Sequence, residues 1–291
     1  MPMMNADWYC EAWEERTAFA VRVTSKLYDA VTEFQSIEVF DSEALGRILV
    51  LNDCFMVTQK DHFVYHEMLV HTPMAVVPNP RNLLIIGGGD GGAVTEAIKY
   101  PHLESITLCE IDPQVVSTCK EFFPDVSAGL SDPRVRVVYE DGAAFVRDSP
   151  NKFDIILVDS TDPVGPATAL FSKNFFANVR DCLTASGTAV FQTESPFFME
   201  HTFNMVVQDL TDVFGSGKVH PYVIPVPTYP GGLWSLTFCS KTLHPLDVTH
   251  RETPAYLEGR LRYYDPDVHR AAFTLPVFVR KLLRSPSTAG L

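Results

Sequence analysis

The amino-acid sequence predicts an α/β protein in which a small N-terminal antiparallel β-domain precedes a doubly wound, mostly parallel sheet. Residues 17–60 alternate apolar and polar side chains and are rich in Val, Phe, Ile and Thr, which is typical of short half-buried strands. From residue 61 onward, apolar strands alternate with helical segments, which is typical of a parallel sheet covered on both faces. We therefore expect a β-strand domain over residues 1–60 and a second domain, ending in a helical extension, over residues 61–291.

Short turn signals separate the N-terminal strands. The stretches TAFAVRVTSKLYDAVTEFQSIEVF and ALGRILVLNDCFMVTQ carry the alternation, with turns at Gly46 and at Asn52-Asp53. Gln35 falls inside this pattern, and by itself it is interpreted as an exposed polar position of a strand. The period changes at Asp61, where DHFVYHEMLVHTPMAV has apolar residues at helical spacing and predicts a helix.

Five apolar strands are predicted for the second domain: NLLIIG, SITLCEID, RVRVVYED, FDIILVDS and GTAVFQTE. Helices are predicted after the first two, over GGAVTEAIKYP, which ends at Pro101, and over PQVVSTCKEFF. Two later strands are predicted over KVHPYVIPV and GLWSLTFCSK. The C-terminal tail is interpreted as helices around a Tyr-Tyr-Asp-Pro turn.

Composition excludes several classes of protein. The 291 residues include 36 acidic and 23 basic ones, for a formal net charge of −13. Such a chain is a poor candidate for binding nucleic acids, whereas its field suits small cationic molecules. No run of 18 apolar residues predicts a membrane span, and the polar N-terminus predicts no secretory signal. The six cysteines form no C-x-x-C pair, so no metal site is predicted, and free thiols in a reducing cytoplasm are expected.

A glycine-rich loop follows the first strand of the second domain. In LLIIGGGDGGAVTEAI, five of the six residues from Gly87 to Gly92 are glycine, and the loop leads directly into a helix. Glycines allow a ligand to approach the backbone, and a helix N-terminus offers free N–H groups. A tight strand-to-helix turn is the alternative interpretation, but it requires fewer glycines.

Acidic residues end the next two strands. Glu110 follows Gly87 at close to the roughly 20-residue spacing at which an acid binds ribose hydroxyls. Asp112 competes for this role, but its place before Pro113 predicts a helix N-cap. Asp141-Gly142 ends the third strand and, taken alone, is also explained by a turn. Together these strand ends indicate an adenosine pocket at the carboxyl edge of the sheet.

Three aspartates are expected to meet at that same edge. Asp159 and Asp162 follow the fourth strand in VDSTDPVGP, and Asp90 lies in the glycine loop. Unpaired carboxylates at close range repel each other, so a polycation or a divalent metal would relieve them. Asp90 would repel a phosphate-bearing dinucleotide and the carboxylate of S-adenosylmethionine. An adenosyl sulfonium that ends in an ammonium would find a partner there, although a loop Asp facing solvent is the alternative.

The motifs GGGDGG, EID, EDG, DSTDPVGP, PTYPGG and RYYDPDVHRAAFTLP stand in an order and spacing that resembles the spermidine synthase family of polyamine aminopropyltransferases. GLWSLTFCSK is more similar to the bacterial form than to the animal form. The resemblance spans nearly the whole chain. It implies a methyltransferase-like Rossmann domain, no metal and no cofactor, and a cytoplasmic homodimer or homotetramer. It also implies transfer of the 3-aminopropyl group of decarboxylated S-adenosylmethionine to putrescine, which gives spermidine and 5′-methylthioadenosine.

The resemblance implies a set of residues that bind the aminopropyl donor. Asp90 would bind the donor's terminal amine, and Glu110 would bind its ribose. Gln35 and His66, the latter in YHEM, would also contact the donor. The remaining donor-binding positions implied are the loop glycine, the adenine side of the pocket and a proline of the following loop: Gly87, Asp141, Gly142 and Pro166.

Other residues are implied for the acceptor. Asp159 would accept the proton of the attacking amine, while Asp162, Tyr65 and Tyr229 would hold the diamine. Pro166 lies in a loop, roughly residues 160–170, that the resemblance implies closes over the site. Because an unperturbed amine has a pKa of about 10.4 and Asp one of about 3.9, we expect aromatic walls that include Trp234 to lower the amine's pKa.

The chain departs from the family pattern at four positions. Met56 stands where Gln is usual, Gln59 and His62 where Glu is usual, and Thr95 where Arg is usual. These departures leave the acceptor open among putrescine, agmatine, cadaverine and longer polyamines. An S-adenosylmethionine-dependent amine N-methyltransferase, a catalytically silent binding protein and a dinucleotide-dependent oxidoreductase are the alternative functions, of which Asp90 disfavours the first.

Overall fold

The structure is a computed structural model, and it describes residues 7–13, 17–150, 152–163, 165–248 and 252–284. These residues form two small antiparallel sheets and one seven-stranded mixed sheet with helices on both faces. The predicted fold class is confirmed.

The N-terminal strands divide into a hairpin and a four-stranded sheet. The hairpin pairs β1 (Trp8–Trp13) with β2 (Thr17–Arg22), and the sheet has the order β3 (Ser25–Val31), β4 (Ser36–Ser42), β5 (Gly46–Leu51) and β6 (Cys54–Thr58). All of these pairings are antiparallel, as predicted. The turn between β5 and β6 places Asn52 and Asp53 at positive φ, which is typical of a tight hairpin. Strand β1 lies before the predicted strand region and was not predicted.

Helix α1 (His62–Met74) links the two parts of the chain and is almost entirely buried. Asp61, which precedes the helix, accepts hydrogen bonds from the hydroxyl groups of Thr58 at 2.6 Å and Thr228 at 2.8 Å. These bonds fix the start of α1 against both the N-terminal sheet and the segment before the last strand. The predicted helix start is therefore confirmed, and its side chains are held at the centre of the molecule.

The seven-stranded sheet has the order β12, β13, β11, β10, β7, β8, β9. Its strands are β7 (Asn82–Gly87), β8 (Ser105–Glu110), β9 (Val135–Tyr139), β10 (Phe153–Asp159), β11 (Leu183–Gln192), β12 (Val219–Pro225) and β13 (Leu233–Ser240). The first five are mutually parallel, and β13 pairs antiparallel with both β11 and β12. The chain order reverses between β7 and β10, so their carboxyl ends form the switch point at which open α/β sheets bind ligands.

Seven further helices surround this sheet: α2 (Gly92–Ala97), α3 (Pro113–Phe122), α4 (Gly142–Asp148), α5 (Lys173–Cys182), α6 (Glu200–Phe214), α7 (Pro266–Ala272) and α8 (Val277–Leu282). One apolar core packs β7 and β10 against α1, and a second packs the opposite face against α4, α5 and α6. Helix α2 ends before Pro101, earlier than predicted. The cysteines are all free, as expected, and no helix in the described ranges is long and apolar enough to cross a membrane.

Candidate active site

A cleft with about 1290 Å³ of empty space, including open solvent at its mouth, lies between the N-terminal sheets and the carboxyl edge of the large sheet. Its lining includes every residue that the sequence analysis assigned to a site: Gln35, Tyr65, His66, Gly87, Asp90, Glu110, Asp141, Gly142, Asp159, Asp162, Pro166 and Tyr229. The sequence thus predicted which side chains meet, and the role of each one stays a prediction.

The glycines of the loop make room for the protein's own atoms. Gly87 has φ +77°, and a Cβ there would lie 2.2 Å from the backbone oxygen of Asp159. A Cβ on Gly92 would lie 2.1 Å from the imidazole of His66. The sequence argument attributed the glycines to the approach of a ligand, but at these two positions they let strand β10 and helix α1 approach the loop.

One half of the cleft, formed by the glycine loop and the ends of β8 and β9, contains buried hydrogen bonds around Glu110. Its carboxylate accepts from the backbone N–H groups of Gly89 at 3.1 Å and Asp112 at 2.9 Å. Burial nevertheless raises the pKa of Glu110 to about 7. Asp112 caps α3 through the N–H of Gln114, as predicted. The glycine loop and the start of α3 are therefore tied to one carboxylate.

Gln35 is not an exposed strand residue, and that interpretation is wrong. It lies between β3 and β4, half-buried, and its side-chain amide donates to Asp112 at 3.1 Å. This bond joins the N-terminal sheet to the large domain beside the cleft. Asp141 lies at the opposite wall, where it caps α4 through the N–H of Ala143 at 2.8 Å. The turn interpretation of Asp141 is thus correct in geometry, and its side chain still lines the cleft.

His66, Asp90 and Asp159 converge at the centre of the cleft. One side-chain nitrogen or oxygen atom of each lies within 4.8 Å of the other two. His66 Nε2 is 3.2 Å from Asp90 Oδ1, and Tyr65 donates its hydroxyl to Asp159 Oδ1 at 2.8 Å. The second oxygen of Asp159 is buried and has no hydrogen-bond partner among the described residues. A Cβ on Gly88 would lie 2.8 Å from that oxygen, so the oxygen lies against the glycine loop.

The electrostatics of this cluster separate the two aspartates. Burial lowers the pKa of His66, but Asp90 outweighs burial and raises it to about 9. Burial raises the pKa of Asp90, but the charge and hydrogen bond of His66 outweigh this and hold it below its ordinary value. Burial and the charge of Asp90 together raise the pKa of Asp159 to about 6. Asp90 is therefore a stable carboxylate, and Asp159 is the more basic of the pair.

The other half of the cleft is lined by aromatic rings. The rings of Tyr65 and Tyr229 lie 5.9 Å apart, and Tyr229 lies 4.9 Å from Trp234 in an edge-to-face arrangement. Tyr229 donates its hydroxyl to the backbone oxygen of Met56 at 2.9 Å. The predicted aromatic walls are therefore present on this side. Pro166, in contrast, is exposed in a short 3₁₀ helix, residues 165–171, at the mouth of the cleft.

Sequence reasoning missed three polar residues: Glu11 and Gln192, which line the cleft, and Glu194, which lies beside Asp162. Glu11, from β1, is 5% exposed and accepts from the N–H of Phe55 at 2.6 Å. Glu194 is buried beside Asp162, where burial and the charge of Asp162 raise its pKa, and Gln192 donates to it at 3.1 Å. A sequence signal existed for Gln192 and Glu194, because they lie at the carboxyl end of β11 as Asp159 lies at the carboxyl end of β10. Nothing in the local sequence of Glu11 indicates its position.

The departures from the family pattern have different structural settings. Gln59 is exposed and accepts from the N–H of Arg47, and Thr95 bonds backbone atoms of the segment after α3. Met56 lines the cleft. His62 is half-buried, and its Nδ1 lies 3.3 Å from Nδ1 of His66. Of the four, Met56 and His62 bear on the site.

Two family models together match most of the chain, from residue 7 to residue 249. Residues 7–59 match the spermidine synthase tetramerisation domain, and residues 62–249 match the spermine/spermidine synthase domain. A polyamine aminopropyltransferase of Moorella thermoacetica is 44% identical over 97% of this chain and 98% of its own length. One from Bacillus subtilis is 40% identical over 97% of this chain and its full length.

Solved structures give the same result. A spermidine synthase in complex with the transition-state analogue AdoDATO superposes with a TM-score of 0.92 at 36% identity, covering 97% of this chain and 96% of that one. Spermidine synthase from Thermotoga maritima superposes with a TM-score of 0.91, also at 36% identity, over 97% and 95% of the two chains. The fold and site define a small-molecule transferase built on a Rossmann-like sheet. The chain belongs to the spermine/spermidine synthase family, and the predicted family and aminopropyltransferase class are confirmed.

Proposed function

We propose that the protein transfers the 3-aminopropyl group of decarboxylated S-adenosylmethionine to putrescine, giving spermidine and 5′-methylthioadenosine. The observation that carries this proposal is the pair Asp90 and Asp159, which converge at the boundary between two chemically different halves of one cleft. One half ends in groups suited to a nucleoside, and the other is aromatic and acidic. A sulfonium placed between them has a carboxylate on each side.

The donor lies along the edge formed by the glycine loop and the ends of β8 and β9. Glu110 binds the ribose, and Asp141 with Gly142 borders the adenine. Asp90 pairs with the terminal ammonium of the aminopropyl chain. S-adenosylmethionine itself carries a carboxylate on the carbon that bears this ammonium. That carboxylate would face Asp90 and be repelled. This contact therefore favours aminopropyl transfer over methyl transfer.

The acceptor lies between Tyr65, Tyr229 and Trp234. Its reacting amine meets the free oxygen of Asp159, and its distal ammonium reaches the carboxyl groups of Asp162 and Glu194. These aromatic walls exclude water along the methylene chain. Putrescine, the shortest diamine of those considered, is the proposed acceptor, and agmatine and cadaverine are the alternatives that the departure at Met56 leaves to experiment.

The reaction is a direct displacement. The nitrogen lone pair of the acceptor attacks the methylene carbon bound to sulfur, the carbon–sulfur bond breaks, and its electron pair neutralises the sulfonium. The new secondary ammonium transfers one proton to Asp159. Between unperturbed groups this transfer is uphill by about 6.5 pKa units, or about 9 kcal/mol. Burial raises the pKa of Asp159 to about 6, and the apolar walls lower that of the amine, so both shifts reduce the difference.

We also propose a homodimer or homotetramer in the cytoplasm that needs no metal and no cofactor. The match of residues 7–59 to a tetramerisation domain supports assembly through the β-strand domain. The proposed boundary between the two domains lies between residues 60 and 61. No nucleic-acid or membrane partner is proposed, since the acidic charge disfavours the former.

Mass spectrometry of reaction products tests the proposal. The purified protein is incubated with decarboxylated S-adenosylmethionine and, separately, putrescine, agmatine, cadaverine or spermidine. Methylthioadenosine with spermidine as the major product supports the proposal, and preference for another amine would move the acceptor while keeping the mechanism. Formation of S-adenosylhomocysteine from S-adenosylmethionine, with no methylthioadenosine from any amine, would overturn it.

A further inference from the structure

Two histidines of helix α1 extend the central cluster away from the cleft. His62 and His66 are one helical turn apart, and their Nδ1 atoms lie 3.3 Å from each other. The other ring nitrogen of His66 lies 3.2 Å from Asp90. The three side chains thus form one continuous line from Asp90 through His66 to His62.

The short distance between the two Nδ1 atoms restricts their protonation. Only one hydrogen fits between them, because two N–H groups facing each other would repel. If His66 is charged, it donates at both nitrogens, and His62 accepts at Nδ1. If His66 is neutral with its hydrogen toward Asp90, His62 donates instead. An imidazole at position 62 satisfies either state, because a neutral ring carries one donor and one acceptor.

The charged groups around the pair place its one positive charge on His66. Three carboxylates face His66 and favour its charged form: Asp90 from the glycine loop, Asp159 from the end of β10 and Glu96 from α2. Burial and the charge of His66 lower the pKa of His62 to about 4, and Arg262 acts in the same direction. In the free protein at neutral pH, His66 is therefore the cation and His62 is neutral.

This arrangement conflicts with a second cation at Asp90. The proposed donor brings an ammonium to that carboxylate, where a charged His66 already lies. Two cations on one buried carboxylate repel each other, so the site favours loss of a proton from the stronger acid of the two when the donor arrives. The ammonium of an aminopropyl chain has an ordinary pKa near that of Lys, about 10.4. His66 is the group that gives up its proton.

We propose that His62 is a positioning residue that couples binding of the donor to release of one proton from His66, by changing from hydrogen-bond acceptor to donor. This inference rests on the proposed function, because it places the donor's ammonium at Asp90. Through this change His66 keeps its orientation in both charge states. A carboxylate at position 62 only accepts, so it would hold His66 in its charged form.

Proton release has a measurable consequence for affinity. When binding releases one proton from a group, the Kd of the ligand depends on pH below the pKa of that group. In that range the Kd falls up to tenfold for each unit by which the pH rises. Burial opposed by Asp90 sets that pKa for His66 at about 9. We therefore expect the Kd of decarboxylated S-adenosylmethionine to fall about eightfold from pH 7.5 to pH 8.5. Methylthioadenosine has no ammonium, so its Kd should change less than twofold.

Calorimetry and NMR together test the proposal. Titrations of decarboxylated S-adenosylmethionine into the full chain at pH 7.5, in two buffers of different ionisation enthalpy, count the protons released. This pH lies above the pKa of about 6 for Asp159, so that group contributes little. Burial raises the pKa of Glu110 to about 7, but both ligands carry the ribose, so any proton that Glu110 releases is common to both. We expect decarboxylated S-adenosylmethionine to release close to one proton more than methylthioadenosine. Nitrogen-15 NMR of the histidine rings records the titration of His66 without any ligand.

Substitutions at position 62 separate the outcomes. His62→Glu should move the titration of His66 upward and raise the donor Kd at pH 7.5 about tenfold or more, with methylthioadenosine still bound as a check of folding. His62→Gln, whose amide both donates and accepts, should keep the Kd within about threefold. Gln59→Glu adds the same charge at a nearby exposed position and should change neither quantity.

An unchanged titration of His66 in His62→Glu would overturn the coupling, whatever the donor does. Normal donor binding with no more protons released than by methylthioadenosine would also overturn it. A different result would contradict the proposed function instead. In that result, decarboxylated S-adenosylmethionine does not bind the native chain, although His62→Glu still moves the titration of His66 upward. The two failures are therefore distinguishable.

Discussion

The two halves of the cleft treat their carboxylates differently. On the donor side, Asp90 has His66 as a cationic partner, and Glu110 accepts two backbone N–H groups. On the acceptor side, Asp162 and Glu194 face each other, and burial raises the pKa of both. Asp90 therefore has a cationic partner before a ligand arrives, whereas burial disfavours the ionised forms of Asp162 and Glu194, which a bound ammonium would favour. Asp159, at the boundary, has one oxygen bonded to Tyr65 and the other free.

Removing the charge at the boundary should have the largest effect. Asp159→Asn deletes the proton acceptor while keeping the hydrogen bond from Tyr65, so we expect kcat to fall by a factor of about 10²–10⁴. Steady-state kinetics with saturating donor measure this change. Asp154→Asn, on the same strand β10 but outside the cleft, is the matched control and should keep the native rate. A kcat for Asp159→Asn within threefold of the native value would mean that the boundary carboxylate does not act in proton transfer.

The pH dependence should distinguish Asp159 from the acceptor's own amine. Above pH 6.5, one proton must leave the amine, so log kcat/KM for the acceptor should rise with a slope of about one. Burial and Asp90 raise the pKa of Asp159 to about 6, so below that pH a second proton must leave and the slope should reach two. Below pH 6, kcat/KM for the acceptor should therefore fall by a further factor of about ten for each unit by which the pH decreases. In Asp159→Asn the slope should stay at one, and an unchanged profile in this variant would assign the second proton elsewhere.

Weakening the acceptor side should have a smaller and more selective effect. Glu194→Gln removes one of the two facing carboxyl groups, so we expect the KM for the diamine to rise about tenfold or more, because Glu194 is buried and its attraction to an ammonium is less screened than that of an exposed pair. The KM for the donor and kcat should stay within twofold. Glu200→Gln, an exposed residue at the start of α6, serves as the control. An equal rise in both KM values would show that the two halves are not independent.

The sequence predicted the edge of the sheet better than the walls around it. Asp90, Glu110 and Asp159 could be predicted because carboxyl ends of neighbouring parallel strands meet at one edge. Glu11 could not, since β1 belongs to a separate hairpin whose position depends on long-range packing between aromatic residues such as Tyr9 and Phe40. That packing leaves no local pattern in the chain.

Other features were accessible in principle. The i, i+4 spacing of His62 and His66 places them on one face of α1, but a helix that is buried on nearly all sides gives no simple amphipathic pattern from which to choose a functional face. Glu194 adopts φ +70°, which is uncommon for a residue other than glycine and is not encoded in its neighbours. The walls of the cleft therefore depend on tertiary packing, whereas its floor depends on strand order.

The most direct test of the account compares two ligands that differ by one carboxylate. Calorimetry at pH 8.5 measures the Kd of decarboxylated S-adenosylmethionine and of S-adenosylmethionine for the native chain and for Asp90→Asn. We predict that the native chain binds the decarboxylated ligand at least about 100-fold more tightly, which corresponds to about 2.7 kcal/mol. Asp90→Asn should reduce this preference to tenfold or less, mainly by weakening the decarboxylated ligand. Equal affinity of the native chain for both ligands, or an undiminished preference in Asp90→Asn, would contradict the assignment of Asp90 to the donor's ammonium.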